Sequence, residues 1–250
     1  MKRRLLIVAT LSPGLLVCAS NGEILGTAQS FAVLGGSTVT NTGTTVISGN
    51  VGVWPGEAIT GFPPGSINGT FHAGDAVAQQ AQSDVTTAYN SLAGMAPNQN
   101  LTGTDLGGLT LTPGVYFFSS SAFLTGTLTL DGLGNPDALF VFQIGSTLVT
   151  ASDAAVLSQG GADGCNVYWQ VGSSATLGTR TDFVGNILAL ASITLNTGAT
   201  LEDGRALARN GAVTLDSNTI TAGCIPVPAP GTGALLLAAA AVSATRRRRM

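Results

Sequence analysis

The fold is decided by the stretch from Ser174 to Thr221, which reads SATLGTRTDFVGNILALASITLNTGATLEDGRALARNGAVTLDSNTIT. A threonine–leucine pair recurs in steps of 18 and 20 residues, as Thr176-Leu177, Thr194-Leu195 and Thr214-Leu215. A second apolar position keeps nearly the same step, as Phe183, Leu201 and Ile220. Repeats of about 20 residues with short alternating apolar phrases are typical of solenoids, in which a coil buries its inward side chains only by stacking on the next coil. The stretch therefore predicts a parallel β-helix of short three-stranded coils.

Similar apolar phrases lie elsewhere in the chain. They occupy residues 37–53 near the N-terminus and, later, residues 109–118, 127–130, 139–149 and 167–171. Two stretches rich in proline and glycine, Trp54-Pro55-Gly56 and Phe62-Pro63-Pro64-Gly65, indicate turn-forming breaks, so no coil is expected there.

One segment between the two groups of phrases has helical rather than strand periodicity. Over residues 75–93, apolar side chains recur at helical spacing as Val77, Ala81, Val85, Tyr89 and Leu92. Asp75 stands at the predicted start and Gly94 follows the predicted end. Because strand phrases lie on both sides of this helix, we expect a mainly β fold: a discontinuous β-solenoid whose early and late strands pair, with one long α-helix packed alongside.

Charge excludes one class of partner. Only 9 % of the residues are charged, and between residues 20 and 230 three arginines face thirteen acids. A body this acidic is a poor ligand for a phosphate backbone, so we expect no nucleic acid partner.

The two ends of the chain resemble targeting signals. Residues 1–19 combine a basic start, an apolar run and a small-residue site, which predicts a signal peptide, with lipidation at Cys18 as the alternative. The mature domain is then expected over residues 20–224, followed by a linker at 225–231. The apolar segment 232–250 is short for a membrane span and ends in arginines. It resembles a Pro-Glu-Pro-type sorting signal, although Ala229 stands at the usual glutamate; a plain tail anchor is the alternative.

These ends predict a protein that is secreted or attached to the cell surface of a Gram-negative bacterium, with membrane contact only through the terminal segments. Removal of Cys18 would leave Cys165 and Cys224. In an exported protein an even pair indicates one disulfide, and two free buried thiols are the alternative.

Catalytic chemistry finds little support in the sequence. His72 is the only histidine and has no second imidazole or thiolate nearby, so we expect neither a zinc site nor a catalytic triad. The remaining charged cluster comprises Arg180, Asp182, Glu202, Asp203 and Arg205. It suits either a polysaccharide lyase or a set of surface ion pairs. Residues 131–137 could bind calcium, but their Gly and Pro indicate a turn. We expect a non-catalytic protein without metal or cofactor.

Several motifs in order resemble the microbial ice-binding proteins. They are Ser30-Phe31-Ala32-Val33-Leu34-Gly35, the break before the long helix, Leu111-Thr112-Pro113-Gly114-Val115-Tyr116, Val167-Tyr168-Trp169-Gln170-Val171-Gly172 and Gly185-Asn186-Ile187-Leu188-Ala189. The resemblance spans residues 28–221. It implies a right-handed discontinuous β-solenoid with a flanking helix, a monomer, and ice or ordered water as the partner.

The resemblance also implies a flat face rich in threonine. In a strand, Thr194 and Asn196 point opposite to Ile193 and Leu195. The family's looser motif, Thr-Ala/Gly-x-Thr/Asn, occurs at residues 42–45 and 197–200. The predicted ice-binding residues are Thr42, Thr45, Thr176, Thr194, Asn196, Thr197, Thr200, Thr214 and Thr219. A structural or adhesive module of a biofilm matrix is the second hypothesis, and the lyase is the third.

Overall fold

The computed structural model describes residues 24–223, which form one helix, two short 3₁₀ turns and strands β1 to β22. The predicted signal peptide, linker, C-terminal segment and Cys224 lie outside these residues. All the strand ladders are parallel, as a β-solenoid requires, and each complete coil contributes one strand to each of three walls, while the coils at the two ends are incomplete.

The first wall is a seven-stranded sheet. In spatial order its strands are β11 (Ala122–Leu124), β14 (Leu148–Thr150), β17 (Ala175–Leu177), β19 (Ile193–Leu195), β21 (Val213–Asp216), β2 (Thr38–Thr42) and β5 (Ala58–Thr60).

The second wall, which we call the helix wall, belongs to a larger sheet. Its strands are β7 (Phe71–Ala73), β4 (Asn50–Val53), β1 (Phe31–Gly35), the second halves of β20 (Thr200–Ala208) and β18 (Asp182–Ala189), then β16 (Val167–Val171), β13 (Phe140–Ile144), β10 (Gly114–Phe118) and β8 (Gln99–Asn100).

The third wall, which we call the acidic wall, completes that sheet. Its strands are β6 (Ser66–Asn68), β3 (Val46–Ser48), β22 (Thr219–Thr221), the first halves of β20 and β18, then β15 (Ala155–Gln159), β12 (Thr127–Asp131) and β9 (Thr110–Leu111). Strands β18 and β20 turn from this wall to the helix wall at a register shift after Val184. Gly185 allows the turn because its φ is +101° and an added Cβ would lie 2.7 Å from the Val167 Cβ.

The solenoid is discontinuous, as the sequence predicts. Strand β1 pairs with β20 and β4, β2 with β21 and β5, and β3 with β22 and β6, so the N-terminal coil docks on the last coils of the chain. From there the chain winds outward to β7 at one end. Helix α1 (Ala76–Ala93) then leads back to β8 at the other end. Its 18 residues span about 27 Å, so the helix lies along the stack of coils.

Helix α1 occupies the predicted segment and begins after Asp75, whose side chain accepts a hydrogen bond from the Ala78 amide. Its buried face comprises Ala78, Ala81, Gln82, Val85, Ala88, Tyr89 and Leu92. That face packs on the helix wall, on side chains such as Phe31, Tyr168 and Leu207. The prediction is wrong for Val77, which is 48 % exposed, because the buried stripe begins one residue later, at Ala78.

The interior is apolar and holds a column of aromatic rings. The ring centroids of Tyr116 and Phe142 lie 5.4 Å apart, those of Phe142 and Trp169 3.9 Å, and those of Trp169 and Phe183 4.8 Å. Tyr116, Phe142 and Trp169 come from three successive coils of the helix wall, and Phe183 comes from the acidic wall of the Trp169 coil. Stacking the coils therefore also stacks the rings, and a rigid interior supports the outer walls.

One expectation about the coils is wrong. Residues 54–65 contain turns, but they do not interrupt the solenoid, because β4, β5 and β6 form a second N-terminal coil on β1, β2 and β3. The proline-rich stretches lie at the corners between these strands, where no ladder hydrogen bond is lost. Within residues 24–223 no helix is long and apolar enough to cross a membrane.

Candidate functional site

An unbroken row of threonines crosses the seven-stranded sheet. Consecutive strands place them in register, in the order Thr176, Thr194, Thr214, Thr40 and Thr60. Parallel strands lie about 4.8 Å apart, so the row is about 19 Å long. The predicted set Thr176, Thr194 and Thr214 therefore shares one surface, which we call the threonine face.

The alternation of the strands points these threonines outward. Their neighbours Ile193, Val213 and Val39 are fully buried in the core, and Ile59 packs against it. Successive residues of a strand point to opposite sides, so the threonine between two inward residues faces solvent. Because threonine is β-branched, its χ1 is restricted, and hydroxyl and methyl groups are presented in a defined orientation.

The row continues with apolar side chains at one end of the sheet. Val149 is the register partner of Thr176, and Phe123 is the partner of Val149. Valine has the shape of threonine with a methyl group in place of the hydroxyl. Because Val149 on β14 lacks a hydroxyl, the row of outward threonines ends at Thr176 on β17. Phe123, on the next strand β11, is much larger and 50 % exposed.

Small polar residues flank the threonine row. On one side, Ser192 Oγ accepts a hydrogen bond from the Ala212 amide at 3.2 Å, and Ser174 Oγ accepts one from the Ser192 amide at 3.3 Å. Further along the same edge, Ser121 Oγ and Thr147 Oγ1 lie 2.8 Å apart. These bonds hold short side chains close to the backbone, so nothing bulky rises beside the row.

The other flank contains Asn196, Thr42 and Asp216. Thr42 is the register partner of Asp216, and the exposed Thr197 donates a hydrogen bond to the Asp216 carboxylate. Asp216 is half-buried and also accepts a bond from Ser217 Oγ at 3.1 Å. The Asp216 carboxylate, which carries the charge on this flank, is thus held by hydrogen bonds from neighbouring hydroxyl groups.

The predicted residues Thr200 and Thr219 lie on the acidic wall. They are register partners there, and Thr200 Oγ1 donates to Asp182 Oδ1 at 3.0 Å. The outward side of this wall also carries the exposed Glu202 and Leu157. Its surface is therefore charged and uneven, unlike the threonine face.

The prediction is wrong for Thr45. Its side chain is fully buried at the corner between β2 and β3, where Oγ1 accepts a hydrogen bond from the Asn218 amide at 3.1 Å. The motif over residues 42–45 thus begins on the surface and ends inside the molecule, because the chain turns a corner within it.

Two members of the row, Thr40 and Thr60, were missed by sequence reasoning. The signal was present, since Thr38-Val39-Thr40 and Ala58-Ile59-Thr60 both place a threonine after a buried β-branched residue, as Ile193-Thr194 does. The Thr-Gly-x-Thr motif of residues 42–45 pointed to Thr42 and Thr45 in this strand and not to Thr40. Thr60 lies between Pro55 and Pro63, where the sequence pattern predicts turns and no coil.

The structure separates the members of the charged cluster that could suit a polysaccharide lyase. Arg180 forms an exposed ion pair with Asp153, Nε to Oδ1 at 2.7 Å, which lowers the pKa of that carboxyl. Arg205 is 1 % exposed and bonds to the carbonyl of Gln29 and to Asn186 Oδ1, and its burial lowers its pKa to about 10. The expectation that Arg205 belongs to a surface cluster is wrong, because the turn at Gly204 directs it beneath the N-terminal segment.

The contacts of His72, the only histidine in the sequence, indicate a structural role. His72 Nδ1 lies 2.8 Å from Asp75 Oδ2, and its ring contacts that of Phe31 with centroids 5.4 Å apart. Asp75 at the same time caps helix α1, and its hydrogen bond from the Ala78 amide lowers its pKa. In the part of the chain that the structure describes, no three His, Cys, Asp or Glu side chains come together to hold a metal.

A parallel β-solenoid with a helix along one wall and a register row of threonines on another defines this chain as a discontinuous β-solenoid protein. Residues 33–221 match the profile of the family described as Ice-binding-like, and this chain belongs to that family.

Its relatives are named accordingly. An ice-binding protein of Nostoc sp. (strain HG1) is 62 % identical over 210 residues, covering 84 % of this chain and 78 % of the relative. The crystal structure of an ice-binding protein from an Antarctic biological consortium matches with a TM-score of 0.77 and 55 % identity, covering 79 % of this chain and 89 % of that one. The structure of the ice-binding protein of Antarctomyces psychrotrophicus matches with a TM-score of 0.78 and 44 % identity, over 80 % and 98 %.

Proposed function

We propose that this protein adsorbs to ice through the threonine face and so restrains ice growth and recrystallisation. One observation carries the proposal: five consecutive strands place one outward threonine each in a single register row. The names of its relatives point in the same direction.

The mechanism rests on preorganisation. The ladder hydrogen bonds fix the distance between coils, and the β-branched side chains have few rotamers to lose on binding. Each hydroxyl can donate and accept a hydrogen bond, while each methyl excludes water beside it. Water ordered over such a face keeps a regular spacing, and many weak contacts made at little entropic cost add up to firm adsorption. No covalent step is involved, and the protein acts without catalysis.

The other two walls suit this role less well. Helix α1 covers the helix wall, so its strands cannot meet an extended surface. The acidic wall exposes Asp182, Glu202 and Leu157, whose charges and differing lengths disturb a regular water layer. We therefore include Thr42, Asn196 and Thr197 as the rim of the contact, add Thr40 and Thr60 to the row, and place Thr200 and Thr219 outside it.

Tyrosine substitution on two walls tests the proposal. Thr194→Tyr and Thr214→Tyr raise a bulky ring from the centre of the threonine face, and each should remove most of the thermal hysteresis and crystal shaping. Thr219→Tyr is the matched control, because Thr219 is an exposed threonine of a parallel strand on the acidic wall. Circular dichroism melts should show that all three variants fold. Equal loss in the control, or full activity of Thr194→Tyr and Thr214→Tyr, would rule out this face.

The same proposal includes export of the chain by its N-terminal segment. Cys165 is disulfide-bonded in the structure, which suits an oxidising compartment, and we pair it with Cys224. Closing a loop of about 60 residues should stabilise the fold by about 4 kcal/mol on the chain-entropy model. Thiol labelling of the secreted protein with and without reductant tests the pairing; two reactive thiols in the unreduced protein would contradict it.

A further inference from the structure

A polar groove runs between helix α1 and the corners of the helix wall. It has a volume of about 330 Å³ and is lined by Trp54, Pro55, Gln79, Gln82, Ser83, Thr86 and Arg209. None of these residues belongs to the threonine row, and none of the seven is acidic. The groove therefore differs in chemistry from both outer walls.

The groove holds an available positive charge. In the part of the chain that the structure describes, Arg180 is paired with Asp153 and Arg205 is buried, whereas no carboxylate lies within ion-pair distance of Arg209. Two contacts from α1 hold Arg209 in place: Nε donates to Thr86 Oγ1 at 3.3 Å, and the guanidinium carbon lies 4.7 Å from the Tyr89 ring centre. A guanidinium fixed in this way, whose Nη groups make no hydrogen bond to residues 24–223, is suited to bidentate recognition of a carboxylate.

The remaining lining matches a sugar rather than a peptide. Trp54 is half-buried and offers an indole surface on which the C–H face of a pyranose ring can pack. The exposed Gln79 and Ser83 lie on the opposite side, on α1, and supply an amide and a hydroxyl for sugar hydroxyls. Gln82 Nε2 donates to the Ala208 carbonyl at 2.9 Å, and its Oε1 has no donor among the described residues. The groove is also shallow, which suits a flat sugar ring better than a peptide side chain that has to insert.

We infer that this groove binds an acidic oligosaccharide, with a uronic acid carboxylate on Arg209 and a sugar ring against Trp54. The site is separate from the threonine face, so the protein could hold an acidic polysaccharide while that face stays free. The inference goes beyond ice adsorption and does not depend on it.

Tryptophan fluorescence can test the inference directly. The protein has two tryptophans, and Trp169 is fully buried in the core, so a ligand in the groove should alter only the emission of Trp54. The probe is a trimer of galacturonic acid, and its methyl ester is the matched ligand without charge. We expect a saturable change with the acid trimer, about tenfold weaker binding of the ester, and no change in the Trp54→Phe variant.

Three variants locate the binding site. Arg209→Gln should weaken binding about tenfold, because it removes the charge-assisted bonds. Arg180→Gln, which removes an arginine far from the groove lining, should leave binding unchanged. Ser83→Tyr fills the groove from an exposed helix position while Arg209 keeps its charge, and it should abolish binding. This variant tests the site independently of any shift of α1 in Arg209→Gln. The absence of a saturable signal at millimolar trimer, equal affinity for acid and ester, or an unaffected Ser83→Tyr variant would each overturn the inference. Thermal hysteresis measured alongside should not respond to the trimer.

Discussion

Arg205 donates a hydrogen bond from Nε to the carbonyl oxygen of Gln29 at 2.9 Å, across 176 positions of sequence. Its Nη1 donates to Asn186 Oδ1, also at 2.9 Å, and Asn186 in turn donates to the carbonyl of Val167. A single buried guanidinium thus connects the N-terminal segment to two late coils. It lies at the junction where β1 pairs with β20, so it supports the register on which the continuity of the threonine row depends.

Replacement of Arg205 should destabilise this junction. In Arg205→Leu the Gln29 carbonyl and Asn186 Oδ1 lose their buried donor, and we expect the free energy of unfolding to fall by about 2–4 kcal/mol. Denaturant melts measure this. Arg180→Gln breaks an exposed ion pair and should change the melt very little. If the two variants were equally stable, the buried network would contribute nothing.

Extension of the threonine row should raise ice activity. Phe123→Thr and Val149→Thr together would give seven strands in a row an outward threonine, in place of five. Thermal hysteresis should increase because the level hydroxyl-bearing area is longer. Leu157→Thr replaces an equally exposed apolar residue on the acidic wall and should have no effect. A decrease in the double variant would show that the apolar end of the row takes part in binding.

Thr45→Val separates a buried role from a surface role. The variant keeps the shape but leaves the Asn218 amide without its acceptor, which should cost about 1–3 kcal/mol of unfolding free energy. Thermal hysteresis of the folded protein should be unchanged, since Thr45 is fully buried. Lost hysteresis at unaltered stability would instead place Thr45 in the ice contact.

Acid should loosen helix α1 from the N-terminal turn. Burial raises the pKa of Asp84, but hydrogen bonds from the Thr27 hydroxyl at 2.6 Å and amide at 2.8 Å outweigh it, so the pKa lies below its ordinary 3.8. The unfolded chain therefore takes up this proton at higher pH than the folded chain. The associated stability is present above about pH 4 and is lost as the pH falls through the folded pKa.

The Asp84→Asn variant measures this contribution. It should be less stable than the parent protein at neutral pH, and the difference should shrink on acidification towards pH 3. Glu202→Gln, at an exposed position on the acidic wall, is the matched control. A stability gap for Asp84→Asn that stayed constant with pH would contradict the assignment.

The regular parts of the fold could be predicted because their signals are periodic. Alternation around Thr194 and Thr214 predicted the strands and their outward side, and the spacing of Val85, Tyr89 and Leu92 predicted the helix. Pairing between early and late strands followed from their shared pattern. These features depend on local backbone geometry, which a repeating sequence makes visible.

The corners of the coils could not be predicted in the same way. Thr45 and Arg205 both follow a change of direction, at the corner after β2 and at Gly204, and alternation loses its phase there. The Pro63-Pro64 pair looked like an interruption because the strands beside it are only three residues long. Whether a corner residue points inward depends on contacts with chain-distant partners such as Asn218 and Gln29, which no local pattern records.

The pairing of β1 to β3 with β20 to β22 also determines when the solenoid can close during synthesis of the chain. Strands made first by the ribosome must wait for strands made last before their edges are covered, so the middle of the solenoid closes only after nearly the whole domain has been synthesised. Long sequence separation between partners slows this closure. For the export proposed above, in which the chain would pass a translocation pore in an extended form, such a delay is an advantage, because the architecture that makes the finished surface rigid cannot assemble before the last coil arrives.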